Sequence, residues 1–311
     1  MSLTFRRFRI GTRGSPMALR QTALVRDRLV TAHPDLGPVG AVEIVTISTT
    51  GDRVQNRLLA EIGGKGLFAK EIEEALIAGH IDLAVHSLKD LETWLPKGLA
   101  IACVLPRDDP RDAFVSADGA SLASVPEGAT IGSASLRRQA QLLRHRRDLA
   151  VVPIRGNVNT RLRKMAAGEV DAVVLALCGL ERLGLGGRAT DILPREIMLP
   201  AVGQGALAIE CRADDETVRR LIEPLHDRLT AACVFAERAM LAALDGSCRT
   251  PIAGLAEVEG DRLILEGLLL KPDGSSEIRG RLEGRIDRAE AIGTELGKEL
   301  RGRAGSDFGV G

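Results

Sequence analysis

Two stretches decide the fold: LIAGHIDLAV at Leu76–Val85 and MAAGEVDAVV at Met165–Val174. Each runs from a helix end through a glycine to a β-branched residue, an aspartate and an apolar strand. Gly79 and Gly168 stand where helices commonly stop in the left-handed conformation, and the apolar run after each aspartate has strand length. The segments upstream match too. RIGTRGSPMALRQTAL, starting at Arg9, and TIGSASLRRQAQLL, starting at Thr130, both place Ile-Gly-Thr/Ser at a strand end, then a polar turn, then a helix containing Arg-Gln. Shared βα physics can give one such match anywhere. Both matches in the same order predict two similar α/β lobes.

Working outward, FRIGTR and VEIVTIS have the pattern of strands. SPMALRQTALVRDRLVTAHP has that of a helix, with Ser15 as N-cap and Pro16 at the first helical position. GLFAKEIEEALIAGHIDLAVHS adds an amphipathic helix, a stop at Gly79 and a further strand. Such alternation implies largely parallel sheets with helices on their faces. Two such lobes leave a cleft, and ligand sites in these sheets lie where strand carboxyl ends meet helix N-termini, because unpaired N–H groups point there. CVLPRDDPRDAFVS at 103–116 and LPAVGQGALAIECR at 199–212 are expected to carry the chain between lobes. From about residue 225 the pattern becomes a helix, a turn containing DGSCRTP (Asp245–Pro251), antiparallel strands joined by Gly-Asp and Asp-Gly turns, and a closing helix. That is a small C-terminal α+β domain.

A chain of 311 residues exceeds what one hydrophobic core usually supports, which agrees with more than one domain. The 42 basic and 42 acidic residues cancel, which argues against a strongly basic nucleic-acid binder. With no Tyr, one Trp and six Phe, stacking platforms for bases are scarce. No apolar run of membrane-spanning length and no signal peptide are visible, so a cytoplasmic protein is expected. The five cysteines (Cys103, Cys178, Cys211, Cys233 and Cys248) are scattered and never form CxxC, so neither a disulfide framework nor a metal centre is expected. The five histidines show no metal-ligand spacing, and no GxSxG is present.

The polar residues that remain cluster at predicted strand ends and helix starts. DLAVHSLKDLE carries His86, Ser87, Lys89 and Asp90 just beyond a strand. A carboxylate there can stabilise a nearby cation; a solvated loop is the alternative reading. EIGGKGLFAKEI lacks the phosphate-loop spacing, so its glycines suggest a loop that lets Lys65 approach an anion. SASLRRQ and IRGNVNTRLRK set Arg137, Arg138, Arg155 and Arg161 at two loop-to-helix junctions. They form either an exposed basic face or a site for carboxylates, to which the planar guanidinium is suited. Locally, Cys248 is a thiol on a turn.

Taken in order, GTRGSPMALRQ, GGKGLF, AVHSLKD, DPRDAFV, GSASLRRQAQL, RGNVNTRL, LPAVGQGALAIECR and GSCRTPIA resemble the porphobilinogen deaminase (hydroxymethylbilane synthase) family over Arg9 to Ile252. The last sixty or so residues agree only in general character. The resemblance implies two lobes of the periplasmic-binding-protein type plus a cofactor-bearing third domain. The expected limits are residues 1–105 with 206–224, 106–205, and 225–311. It implies a transferase of tetrapyrrole, porphyrin and heme biosynthesis. Such an enzyme joins four porphobilinogen molecules head to tail on a covalent dipyrromethane primer, releases ammonia and frees hydroxymethylbilane by hydrolysis. By motif, Cys248 would hold the primer through a thioether and Asp90 would be the catalytic carboxylate contacting pyrrole nitrogens. Arg13, Ser15, Lys89, Ser135, Arg137, Arg138, Arg155, Arg161 and Arg182 would bind acetate and propionate groups. Lys65 and Phe68 would belong to a mobile loop and Gln204 to a hinge strand. The family also suggests a monomer, with no nucleic-acid or membrane partner. Two departures stand out: Leu91-Glu92-Thr93-Trp94 precedes Pro96 where a proline commonly comes sooner, and Ala134 lies between two serines. A solute-binding or sensing protein for a small carboxylate would share the repeat and the arginines, but would leave Cys248 without a task.

Overall fold

The computed structural model describes residues 7–53, 68–245, 250–305 and 308. The chain divides into two compact units, residues 1–107 with 206–231 and residues 108–205 with 232–311. The expected positions Lys65 and Cys248 lie outside the described residues.

In the first unit the chain runs β1 (Phe8–Arg13), α1 (Pro16–Ala32), β2 (Val42–Ile47), α2 (Thr50–Arg53), α3 (Lys70–Ile77), β3 (Leu83–Ser87) and β4 (Leu99–Val104). In the second it continues with β5 (Asp112–Ser116), β6 (Thr130–Gly132), α4 (Leu136–His145), β7 (Ala150–Val152), α5 (Val158–Ala166), β8 (Ala172–Ala176), α6 (Leu177–Arg182) and β9 (Asp191–Ile192). It then returns to the first unit as β10 (Leu207–Arg212) and α7 (Glu216–Ile222). Helix α8 (Arg228–Ala243) carries the unit boundary, and β11 (Ile252–Glu259), β12 (Arg262–Leu270), β13 (Glu277–Arg285) and α9 (Ala289–Arg303) complete the second unit.

The first sheet has the order β2-β1-β3-β10-β4 and the second β7-β6-β8-β5-β9. In each, three parallel strands are followed by an antiparallel one, β10 beside β3 and β5 beside β8. The strands that bring the chain into and back from the second lobe thus occupy equivalent places.

The repeated glycine-aspartate stretch has a physical job, identical in both sheets. Gly79 (φ 69°) and Gly168 (φ 78°) turn the chain out of α3 and α5 in the left-handed region, which an L side chain enters only at a cost. Asp82 then accepts from the Arg9 N–H at 2.8 Å, and Asp171 accepts from the Thr130 N–H at 2.7 Å. Each aspartate's own N–H returns to the carbonyl of the same residue, at 2.8 and 2.9 Å. The carboxylate locks the first parallel strand to the strand two βα steps later. The helix starts also match: Ser15 Oγ accepts from the Ala18 N–H at 3.2 Å and Ser135 Oγ from the Arg138 N–H at 3.4 Å, satisfying one open donor at each N-terminus.

The first unit's core gathers Ile10, Val25, Leu29, Leu83, Val85, Ile209 and Ile222 between the sheet and its helices. The second sheet has a core on each face, one around Phe114, Ile131 and Met198, the other around Val115, Met165 and Leu180. The antiparallel meander β11-β12-β13 packs on α8 and α9 through Met240, Leu265, Leu269 and Leu296. A further apolar cluster joins Ala140 and Leu199 to Ala253, Leu255, Leu268 and Leu270, which is why the meander belongs to the same compact unit as the second sheet. No helix among the described residues is long and apolar enough to cross a membrane.

Candidate active site

In the first unit, β3 ends at Ser87 and a single 3-10 turn, Leu88–Asp90, follows. The turn is held from several sides. Leu88 and Leu91 are buried, the Leu88 N–H donates to the Ala206 carbonyl at 3.0 Å, and Gln21 of α1 donates to Ser87 Oγ at 2.9 Å. This fixed turn presents Asp90 exposed at the carboxyl end of the strand. No hydrogen bond or ion pair from another described residue reaches its carboxylate. Lys89 beside it is half-buried and engaged.

Arg13, at the end of β1, is paired bidentately with Asp52 of α2, and its guanidinium lies 4.1 Å from the centroid of the Phe68 ring, within cation–π range. Burial pushes the Asp52 carboxyl up, but the bonds from Arg13 and Thr49 outweigh it and hold the group below its ordinary value. Ser15 caps α1.

Behind the Asp90 turn lies an unexpected buried set. His86 Nε2 stands 3.0 Å from Glu210 Oε2 of β10, and Glu73 of α3 is buried in the same electrostatic neighbourhood. His86 Nε2, both Glu210 carboxylate oxygens and Glu73 Oε1 find no hydrogen bond of good geometry. Burial first, then the Glu210 carboxylate, push the Glu73 carboxyl up to about 7 against the opposing pull of His86.

In the second unit, Ser135, Arg137 and Arg138 sit at the start of α4. The two arginines do not form an exposed basic face: each is only 6% exposed. Arg137 donates to Asp112 Oδ2 at 2.8 Å and to the Leu199 carbonyl at 2.7 Å. Arg138 donates to Asp112 Oδ1 at 3.1 and 2.7 Å and to the Val174 carbonyl at 3.0 Å. Gln204 donates to Asp112 Oδ1 at 3.0 Å and to the Pro110 carbonyl at 2.6 Å. Burial lowers the Arg137 pKa, with Arg138 adding to the effect and Asp112 opposing it.

Arg182, ending α6, donates to Asp108 at 2.7 Å and to the Gly205 carbonyl at 2.7 Å. Arg155 is half-buried and engaged, just ahead of Asn157, the N-cap of α5. Arg161 Nε donates to the Gly156 carbonyl at 2.9 Å. The expected residues therefore form two sets, Arg13, Ser15, Phe68, Lys89 and Asp90 in one unit and Ser135, Arg137, Arg138, Arg155, Arg161, Arg182 and Gln204 in the other.

Sequence reasoning missed the carboxylates that hold the arginines: Asp52, Asp108 and above all Asp112. Asp112 lies inside the DPRDAFV motif, and its signal was available. A strand that begins with an acid in an otherwise apolar run buries that acid, and a buried acid needs a cation.

Arginines at sheet ends and helix starts, with the exposed Asp90 turn, characterise a two-lobed α/β protein. Comparison with known proteins narrows the class. The family described as "Porphobilinogen deaminase, dipyromethane cofactor binding domain" matches residues 8–220, and "Porphobilinogen deaminase, C-terminal domain" matches 231–302. Proteins named porphobilinogen deaminase from Nitrobacter hamburgensis and Paracoccus denitrificans are each 54% identical, over 299 and 300 residues. Both alignments span 96% of this chain, and 94% and 95% of the relatives. A third, from Nitrobacter winogradskyi, is 53% identical over 299 residues.

The chain belongs to the porphobilinogen deaminase family. It is an enzyme of cytoplasmic tetrapyrrole biosynthesis, a hydroxymethylbilane synthase that joins four porphobilinogen molecules head to tail with release of ammonia. Its cofactor is a dipyrromethane held through a cysteine thioether.

Proposed function

We propose that Asp90 is the catalytic carboxylate of this polymerisation and that Cys248 anchors the dipyrromethane. One observation carries the first assignment. Asp90 is an exposed carboxylate on a rigid turn with no bond from another described residue, whereas Asp52, Asp82, Asp108 and Asp112 are each tied to arginine. A carboxylate so placed accepts hydrogen bonds from a pyrrole N–H. It also stabilises the positive charge that appears on the ring nitrogen when the substrate's aminomethyl group leaves as ammonia. It can take up the proton displaced when the next pyrrole's α-carbon attacks.

The second assignment draws support from the other four thiols, all buried. Burial pushes Cys103 up to about 12 and Cys211 up to about 11, so neither offers the thiolate that C–S bond formation needs. The donor set fits the cofactor, since planar guanidinium groups match its acetate and propionate carboxylates. When bound, the dipyrromethane supplies the pyrrole carbon to which the first substrate is joined. Arg13, Ser15, Lys89, Ser135, Arg137, Arg138, Arg155, Arg161 and Arg182 bind carboxylates of cofactor and substrate and hold the reacting carbons in register. Phe68 and Lys65 belong to the mobile loop that the family implies, and Gln204 to the hinge, where it lies in a turn ahead of β10 and not in a strand. We assign the functional domains as 1–105 with 206–224, 106–205 and 225–311, and the enzyme as a monomer.

The test combines two readouts. Intact-mass analysis with peptide mapping should find the added mass on Cys248, with Ehrlich's reagent giving colour for the wild type and none for Cys248→Ser. Asp90→Ala should keep its fold and its cofactor yet lose nearly all turnover. An unmodified Cys248 in active enzyme refutes the anchor, and near-normal turnover of Asp90→Ala refutes the catalytic assignment.

A further inference from the structure

Arg137 and Arg138 are consecutive, so on a helix their side chains leave the axis about 100° apart. Both nevertheless turn onto the same carboxylate. Asp112 is fully buried and accepts from Arg137 on one oxygen and from Arg138 and Gln204 on the other. The second attachment of each arginine is a backbone carbonyl, Leu199 for Arg137 and Val174 for Arg138. The two guanidiniums are therefore fixed at two points each, by parts of the chain far apart in sequence.

The charge balance is not what folding alone would select. One buried acid needs one cation. Among the described residues, the second arginine leaves a net positive charge in a site 6% exposed, at a helix N-terminus where the dipole is already positive. Uncompensated buried charge costs several kcal/mol, so folding gains nothing from the surplus. A site whose ligands carry carboxylates does gain: each guanidinium has five N–H donors, and those not used on Asp112, Leu199 and Val174 remain for a ligand.

We propose that Asp112 is a positioning residue of the reaction. It holds Arg137 and Arg138 in the geometry that grips substrate and chain carboxylates, and by cancelling one of their two charges it keeps that grip reversible as the chain lengthens. This rests on the reading of Arg137 and Arg138 as carboxylate-binding residues. A mere counter-ion for folding would need only the charge of Asp112, whereas a positioning residue needs its location.

The substitution that separates the two is Asp112→Glu, which keeps the charge and moves the carboxylate by one methylene. Holoenzyme of wild type, Asp112→Glu, Asp112→Asn and Arg138→Lys is compared. The measurements are KM and kcat for porphobilinogen per cofactor-loaded molecule, the loaded fraction by intact mass, and the masses of chain-elongation species during turnover. The thermal midpoint reports folding. Asp112→Glu should fold, raise KM about tenfold, the equivalent of one misaligned charge-assisted bond pair, reduce the loaded fraction and shift the elongation species towards shorter chains. Asp112→Asn should do the same more strongly, or fail to fold, in which case Asp112→Glu alone decides. Wild-type KM, loading and elongation pattern in Asp112→Glu, with KM raised in Arg138→Lys, overturns the positioning proposal alone. Unchanged KM in Arg138→Lys overturns the carboxylate-binding reading and the proposal with it.

Discussion

Glu73 offers a quantitative test of the buried set behind the Asp90 turn. It is 7% exposed, one of its oxygens lacks a partner, and its carboxyl is pushed from 4.5 up to about 7, chiefly by burial and then by Glu210, with Glu92 and Glu74 adding and His86 opposing. The folded pKa lies above the unfolded one, so between these values the native state keeps a proton that the unfolded chain has released. Stability from this group is therefore complete below pH 4.5, falls as pH rises to about 7 and is flat beyond. The whole decline amounts to about 3 kcal/mol. Replacing Glu73 by Gln keeps the shape of the neutral acid and abolishes the titration. At pH 8, Glu73→Gln should be more stable than wild type by up to ~3 kcal/mol; at pH 4 the two should be alike or the variant slightly worse. Urea unfolding at pH steps from 4 to 8, followed by hydrogen exchange of the peptides covering β3 and β10, measures the first unit specifically. Subtracting variant from wild type cancels the titrating groups that do not interact with Glu73. Parallel pH profiles for the two proteins would refute the assignment of a buried, protonated Glu73.

The paired aspartates predict unequal losses from identical substitutions. Asp82 is buried and also meets Arg9 and Arg212 side chains, whereas Asp171 is exposed. Asp82→Asn should cost about 2 kcal/mol and Asp171→Asn about 1 kcal/mol or less, read by denaturant midpoints. The paired glycines predict equal ones: both are left-handed and neither has an atom within 4 Å of an added Cβ. Gly79→Ala and Gly168→Ala should each cost roughly 1 kcal/mol through backbone strain alone, and a difference of more than twofold between them would show that packing matters at one.

Much of the fold was legible because the repeat is written in local chemistry. A left-handed glycine, an aspartate reaching back to the first strand, and a serine before a helix each act within a few residues or at a fixed βα spacing. Ser15 was readable as a cap for that reason, whereas Ser135, which caps α4 in the same way, was read only as part of a polar turn. The partnerships of the arginines were not. Arg13 meets Asp52, Arg182 meets Asp108, and Arg137 and Arg138 meet Asp112, all across distances in sequence that periodicity does not span. The buried set of Glu73, His86 and Glu210 escaped for the same reason, since it is assembled from α3, β3 and a strand that arrives only after the excursion through the second unit.

The start of α4 shows what pattern alone cannot decide. SASLRRQ admits an exposed basic face or an anion site, because a run of charges reports neither what lies opposite nor how deep it sits. Two facts from the fold exclude the exposed face: β5 begins with a buried acid, and Gln204 arrives from the connecting segment to share it. The arginines are then no longer a solvated face, since solvated arginines need no shared acceptor. Among the described residues, two cations share one anion. On the proposed reading, the positive charge that remains among the described residues is met by carboxylates of cofactor and substrate.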